Sequence, residues 1–246
     1  HSHQLNNNDD GTIDFDDIIN GIRNDQDSHH PISKLLCLEN THNLCFGAPI
    51  NSTYFDKIKT IVDEHNLKLH IDGARIFNAA VALKTTVKEL AKNADSITCC
   101  LSKGLSAPVG SLIMGNEELI HKAHRLRKSL GGGMRQSGIL AAAGIYSFDN
   151  MINRLEEDHE NAQLLAKGLS KIDEIKIDLS TIHTNILFFN LQNTNIKDEE
   201  LIIKLLNNNI KIDSKGNRKF RMVTHYGFKK NNIETVINKL KYILKK

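Results

Sequence analysis

The chain has 246 residues, 40% apolar and 25% charged, with a net charge of +3. That length holds one large domain or two unequal ones with a sizeable buried core, and the composition is that of a soluble globular protein. So small a charge, with no basic run interleaved with aromatics, excludes a nucleic-acid surface; no stretch approaches the ~20 apolar residues of a membrane span.

The chain opens His1-Ser2-His3 without an initiator methionine, as expected of a fragment or processed product, and its polar, Asn-rich amino end does not read as a signal peptide. Residues 6–10 form a turn cluster, and Phe15, Ile18, Ile19 and Ile22 predict a short amphipathic helix over 15–22. After Pro31 a buried strand is expected over 34–38, ending at Glu39-Asn40-Thr41-His42-Asn43. A helix over 54–66, a strand over 67–71 ending at Asp72, a helix over 86–94 and a strand over 96–101 leading to Lys103 follow. Strands alternating with helices predict an α/β fold with a mainly parallel sheet covered on both faces.

A basic helix over 116–130 runs into Gly131-Gly132-Gly133-Met134-Arg135-Gln136, where consecutive glycines end a helix and permit close backbone approach. The Ala-rich stretch 139–146 reads as a buried helix, and 149–171 as one charged amphipathic helix. The expected division is a large domain over 1–150 and a smaller α+β unit over 151–246, with strands at 176–179, 184–191 and 221–224 and a last helix at 232–244.

Several residue groups invite chemistry. Asn6 to Asp17 fits the spacing of a 12-position calcium loop, with Gly11 at the sixth place, but starts with Asn and ends with Asp where a bidentate Glu belongs; an acidic turn capping a helix explains the same letters. His1, His3, His29 and His30 have no carboxylate at ligand spacing, and Cys37, Cys45, Cys99 and Cys100 have no zinc spacing, so no metal is expected and a reduced, cytoplasmic interior is. Glu39 and His42 are a weak acid–base dyad, and His70 a packed strand histidine. Asp72 reads either as a helix cap or as a functional carboxylate. Arg75 is placed to pair with Asp72 or to donate to a phenolate oxygen. Lys103 reads as a solvent-facing loop lysine or, between apolar strands, as an amine whose pKa desolvation lowers. A carboxylate and an amine at the carboxyl ends of two strands face one crevice, and pyridoxal phosphate needs that pair: a lysine for the Schiff base and an acid to keep the ring nitrogen protonated.

Glu39-Asn40-Thr41-His42-Asn43, His70-Ile71-Asp72-Gly73-Ala74-Arg75, Leu101-Ser102-Lys103-Gly104-Leu105-Ser106-Ala107-Pro108-Val109-Gly110, Arg127-Lys128 before the triple glycine, Thr184-Asn185 and Arg221-Met222-Val223-Thr224-His225 together resemble the low-specificity threonine aldolases. These are pyridoxal-phosphate enzymes of the aspartate-aminotransferase-like, fold type I class. The resemblance implies that Lys103 is the Schiff-base lysine, Asp72 the carboxylate on the pyridine nitrogen and Arg75 the arginine at the phenolic oxygen. It implies that Arg221 holds the substrate α-carboxylate and that His29, or His30 one place on, lies near the β-hydroxyl. Lys128 and Arg135 correspond to basic residues near the site and the phosphate.

The expected reaction is retro-aldol cleavage of L-threonine or L-allo-threonine to glycine and acetaldehyde, in a cytoplasmic homo-oligomer built as a dimer of dimers. A related lyase or aminotransferase using the same Asp72 and Lys103 is one alternative, and an incomplete, cofactor-deficient chain the other. The family's chain starts earlier, and that stretch carries the phosphate-binding turn and the ring-stacking histidine. Two residues depart from the pattern: Phe46 and Ser106 stand where the family commonly has glycine.

Overall fold

The computed structural model describes residues 1–24 and 26–245. Asp14 caps a first helix, α1 (Phe15–Gly21), by accepting from the Asp16 N–H, so the acidic cluster serves as a helix start. Strands β1 (Leu35–Glu39), β2 (Lys68–Asp72) and β3 (Ser96–Cys100) are parallel neighbours, and β4 (Ser111–Gly115) closes the row antiparallel to β3.

Alternation along these strands sorts the side chains onto two faces. Leu38, Leu69, Ile71, Ile97 and Cys99 are buried with Phe55, Ile58 and Val62 of α2 (Ser52–Glu64). The register Cys37↔His70, Glu39↔Asp72 and Asp72↔Thr98 puts Cys37, Glu39, His70, Asp72, Thr98 and Cys100 on the opposite face. That face is not covered as expected: Cys37 and Asp72 are exposed, as is the whole of β4.

After α3 (Ile76–Ala82), α4 (Val87–Ala91) and the basic α5 (Glu117–Ser129), the Ala-rich segment forms α6 (Gly138–Asn150). Its predicted burial is corrected, because Ile139, Ile145 and Tyr146 are 72%, 62% and 64% exposed. An all-apolar sequence tells that a surface is to be covered, not that this chain covers it. The two helices expected over 139–146 and 149–171 are both present, but the break between them lies later, since α6 ends at Asn150 and α7 (Leu155–Leu169) starts after a turn.

A second sheet joins β5 (Ile175–Lys176), β6 (Ile186–Leu191), β7 (Asp213–Ser214) and β8 (Lys219–Val223) in the antiparallel order β5-β6-β8-β7. Leu187, Phe189, Phe220 and Met222 form a core with Leu165 and Leu169 of α7 and Leu240 of α9 (Lys230–Leu244). Phe189 and Phe220 stack with centroids 5.4 Å apart. The helix α8 (Asp198–Leu206) lies between β6 and β7 in sequence. Helices α7 and α9 approach at Gly168, where a Cβ would lie 2.0 Å from Ile237 Cδ1.

Polar bonds tie the two sheets' elements together. Thr184 Oγ1 donates to the Gly47 carbonyl at 2.8 Å, and the Asn78 amide reaches His159 Nε2 at 3.1 Å and Asn185 Oδ1 at 3.3 Å. Among the described residues no helix is long and apolar enough to cross a membrane.

Candidate active site

The carboxyl ends of β1, β2 and β3 supply most of the singled-out residues. Asp72 ends β2 and folds back as an Asx turn: its Oδ1 accepts from the Ala74 N–H at 3.0 Å. The cap of α3 is Arg75, not Asp72, so the helix-cap reading of the carboxylate does not hold. Gly73 makes the turn, because a Cβ there would meet the Thr98 carbonyl at 2.6 Å. The other Asp72 oxygen has no hydrogen-bond partner among the described residues, and the residue is exposed.

Arg75 is half-buried, and burial pulls its guanidinium below the usual range while Glu39 opposes that and Arg221 adds to it. Arg75 thus lies within electrostatic reach of both Glu39 and Arg221.

Lys103 sits in a turn closed by Leu101 N–H to Gly110 O and Ser106 N–H to Lys103 O, each 2.9 Å. The turn is jammed against its support: a Cβ on Gly104 would lie 2.8 Å from Leu155 Cδ2 and 3.1 Å from Asn78 Oδ1. The Lys103 side chain itself is exposed and has no ion-pair partner among the described residues. Its apolar flanks Leu101 and Leu105 turn into the core and leave the amine at the surface.

Arg221 reaches across from β8. Its Nη1 donates to Asn43 Oδ1 at 2.6 Å and its Nη2 pairs with Asp213 Oδ2 at 3.0 Å. Its Nε is buried and has no partner among the described residues. A buried, unpaired N–H on a guanidinium is an open place for an anion. Neither the Asn43 side chain nor Asp213 was singled out by sequence; the 178-residue separation of Asn43 from Arg221 leaves no local signal.

Both departures from glycine adopt left-handed backbone, Phe46 at φ 59° and Ser106 at φ 58°, which is the physical reason glycine suits those places. Phe46 is offset by contacts: its ring packs edge-on to Phe188 with centroids 5.4 Å apart, and Lys219 Nζ lies 4.8 Å and 4.9 Å from the two ring centroids.

A cleft of about 1050 Å³ is lined by His29, His30, Cys37, Glu39, His42 and Asp72 together with the amino-terminal segment. His29 and Asp72 both line it, while Lys103, Arg75 and Arg221 lie outside its lining. His29 is exposed, with Nδ1 2.8 Å from Asp27 Oδ1, and hydrogen bonds from His29 hold the Asp27 carboxyl below its usual range. Glu39 Oε2 lies 3.5 Å from His42 Nε2, and His42 Nδ1 accepts from the Cys45 N–H. His70, half-buried, bonds Ser96 Oγ at 2.8 Å; burial lowers its pKa. Lys128, in the last turn of α5, and Arg135, in the loop after it, are exposed, and Lys128 folds over Gly133, where a Cβ would lie 2.5 Å from Lys128 Cδ. Neither forms an ion pair among the described residues. No group of three or more His, Cys, Asp or Glu among those residues is arranged to hold a metal.

The family model described as beta-eliminating lyase matches residues 1–192. A probable low-specificity L-threonine aldolase 2 of Arabidopsis thaliana is 40% identical over 240 residues, which is 97% of this chain and 68% of the relative. The low specificity L-threonine aldolase of Escherichia coli (strain K12) is 50% identical over 179 residues, 73% of this chain and 52% of the relative. The chain thus spans between about half and two-thirds of the length of these curated relatives. Among solved structures, a Leishmania major threonine aldolase superposes with a TM-score of 0.74 at 22% identity, over 96% of this chain and 68% of that one. A Streptococcus suis PLP-dependent aminotransferase superposes with a TM-score of 0.73 at 16% identity, over 98% and 63%. At such identities these two speak to the fold, which is the fold type I α/β arrangement expected from sequence.

Proposed function

The chain belongs to the beta-eliminating lyase family and, within it, to the low-specificity threonine aldolases, and we propose that it serves their retro-aldol reaction, cleaving L-threonine or L-allo-threonine to glycine and acetaldehyde. The observation that carries this reading is the open oxygen of Asp72, oriented by its Ala74 bond at the end of β2, beside Arg75 and one strand from the turn that bears Lys103.

These residues fit pyridoxal phosphate: an available carboxylate, a half-buried guanidinium and an exposed primary amine are the partners its ring nitrogen, phenolic oxygen and aldehyde require. Bound there, the cofactor supplies an aldehyde carbon for an amine and a ring that accepts the electron pair left when a bond to Cα breaks. Lys103 would be the amine for the cofactor's aldehyde, and Asp72 would hold the ring nitrogen protonated. Arg75 would donate to the phenolic oxygen, and Lys128 and Arg135 would offer charge to the phosphate. Arg221 receives the substrate α-carboxylate through its unpaired edge. His29 takes the β-hydroxyl proton directly or through a water; with Nδ1 donating to Asp27, its Nε2 is the free acceptor.

The division at about residue 150 belongs to the same reading and is supported by separate cores on the two sheets. So does a cytoplasmic homo-oligomer, a dimer of dimers; the exposed apolar side chains of α6 support self-association and no more.

The test is product analysis on threonine with the cofactor-loaded protein. Glycine and acetaldehyde are expected in equal amounts, with Lys103→Ala losing both turnover and the visible absorption of the lysine-bound cofactor. A 2-oxo acid product would make the chain an aminotransferase or another lyase, and a Lys103→Ala protein that keeps colour and turnover would overturn the assignment.

A further inference from the structure

Arg221 is held by a side chain from the other sheet's loops, and that loop is closed on itself. The Asn43 N–H donates to Glu39 Oε1 at 3.1 Å, His42 sits against the other Glu39 oxygen, and fully buried Asn40 bonds both backbone groups of Ile50. The result is a rigid turn that presents one neutral acceptor, Asn43 Oδ1, to Arg221 Nη1 at 2.6 Å. Asp213 holds Nη2 from the opposite side, so the guanidinium is clamped at two nitrogens and Nε is left buried and unpaired.

We propose that Asn43 is a positioning residue that fixes the Arg221 guanidinium for a carboxylate ligand, and that it is an amide because a second anion there would compete with that ligand. The proposal rests on the reading of Arg221 as the carboxylate partner. The charge balance gives it content. Arg221 already pairs with Asp213; an uncharged acceptor at position 43 adds geometry without neutralising the guanidinium further.

The test uses the holoenzyme run in the synthetic direction, with glycine and an aldehyde as separate substrates. Glycine carries the carboxylate and the aldehyde does not. Asn43→Ala is expected to raise KM for glycine by about tenfold, as for loss of one hydrogen bond to a charged group, with kcat and the aldehyde KM within about twofold. Asn43→Asp keeps the shape and the acceptor and is expected to weaken glycine at least as much as Asn43→Ala, in a salt-dependent way. A merely structural role predicts the opposite order, with the isosteric variant near wild type. Arg221→Lys separates the proposal from the reading beneath it. If that variant weakens glycine while both Asn43 variants leave it unchanged, the positioning role is wrong and the carboxylate role stands. If Arg221→Lys leaves glycine unchanged, both fall. Equal rises in the glycine and aldehyde KM values would mark general collapse of the loop and overturn the proposal as well.

Discussion

His159 Nε2 lies 3.1 Å from Asn78 Nδ2, inside the contact between α7 and α3. The amide donates, so this ring nitrogen accepts and the imidazole is neutral in the fold. Asn78 also bonds Asn185 and lies under Gly104, next to Lys103. One buried polar cluster therefore links the lysine turn to the strands that bear Arg221.

Burial lowers the His159 pKa from 6.5 to about 4. The unfolded ring binds a proton through the interval in which the folded ring does not, so this contribution to stability is complete above pH 6.5 and is lost as pH falls to about 4. The loss is on the order of 3 kcal/mol. Denaturant midpoints followed between those pH values should fall steeply for the natural protein and less steeply for His159→Gln. Equal slopes would show that this histidine does not carry the acid sensitivity.

Asp158 is fully buried and Arg154 closes on it, with Arg154 Nη1 3.0 Å from Asp158 Oδ2. Burial raises the carboxyl pKa and the arginine opposes that rise. Arg154→Met leaves a buried carboxylate without its partner and should cost about 3 kcal/mol or more. The double variant Arg154→Met, Asp158→Leu should recover most of that loss, since Thr224 bonds the Asp158 backbone carbonyl and not its side chain. Urea midpoints compare the two; a double variant as unstable as the single one would refute the charge-isolation account.

Ser106 pays for its left-handed φ of 58° with little in return, its hydroxyl reaching only the Gly104 carbonyl at 3.4 Å. Ser106→Gly should stabilise by about 0.5–1 kcal/mol after allowing for the larger entropy of glycine in the unfolded chain. A thermal melt reads this directly. A lower melting temperature would mean that the backbone at this position is not strained.

Asp72→Asn retains an oxygen for the Ala74 N–H and removes the charge. Thermal stability should stay within about 0.5 kcal/mol of the parent, while kcat/KM on threonine drops by about 100-fold or more. Unchanged kcat/KM would remove Asp72 from the reaction. A large fall in stability would assign it a structural role instead.

Much of the fold was legible from local pattern. Apolar runs ending in Glu39, Asp72 and the Lys103 turn are β1, β2 and β3, within one or two residues of their expected bounds, because strands buried on one side leave a periodic trace. The short strand β4 and the helices α3 and α8 were missed. Ser111–Gly115 is five residues with no alternation to read, and all five are exposed. The break between α6 and α7 was expected between 146 and 149 and lies at 151–154, because the charged pattern runs on through a turn that only packing defines.

The residue types at the strand ends, and with them the chemistry of an amine, a carboxylate and two guanidinium groups, follow from sequence alone. Side chains that must sit at the ends of strands keep that place whatever covers them. Tertiary structure decided what sequence spacing cannot encode: that Lys103 is exposed, that Asn43 and Asp213 hold Arg221, and that the α6 face is left uncovered. Those depend on contacts between segments far apart in the chain, whose geometry exists only once both sheets have packed.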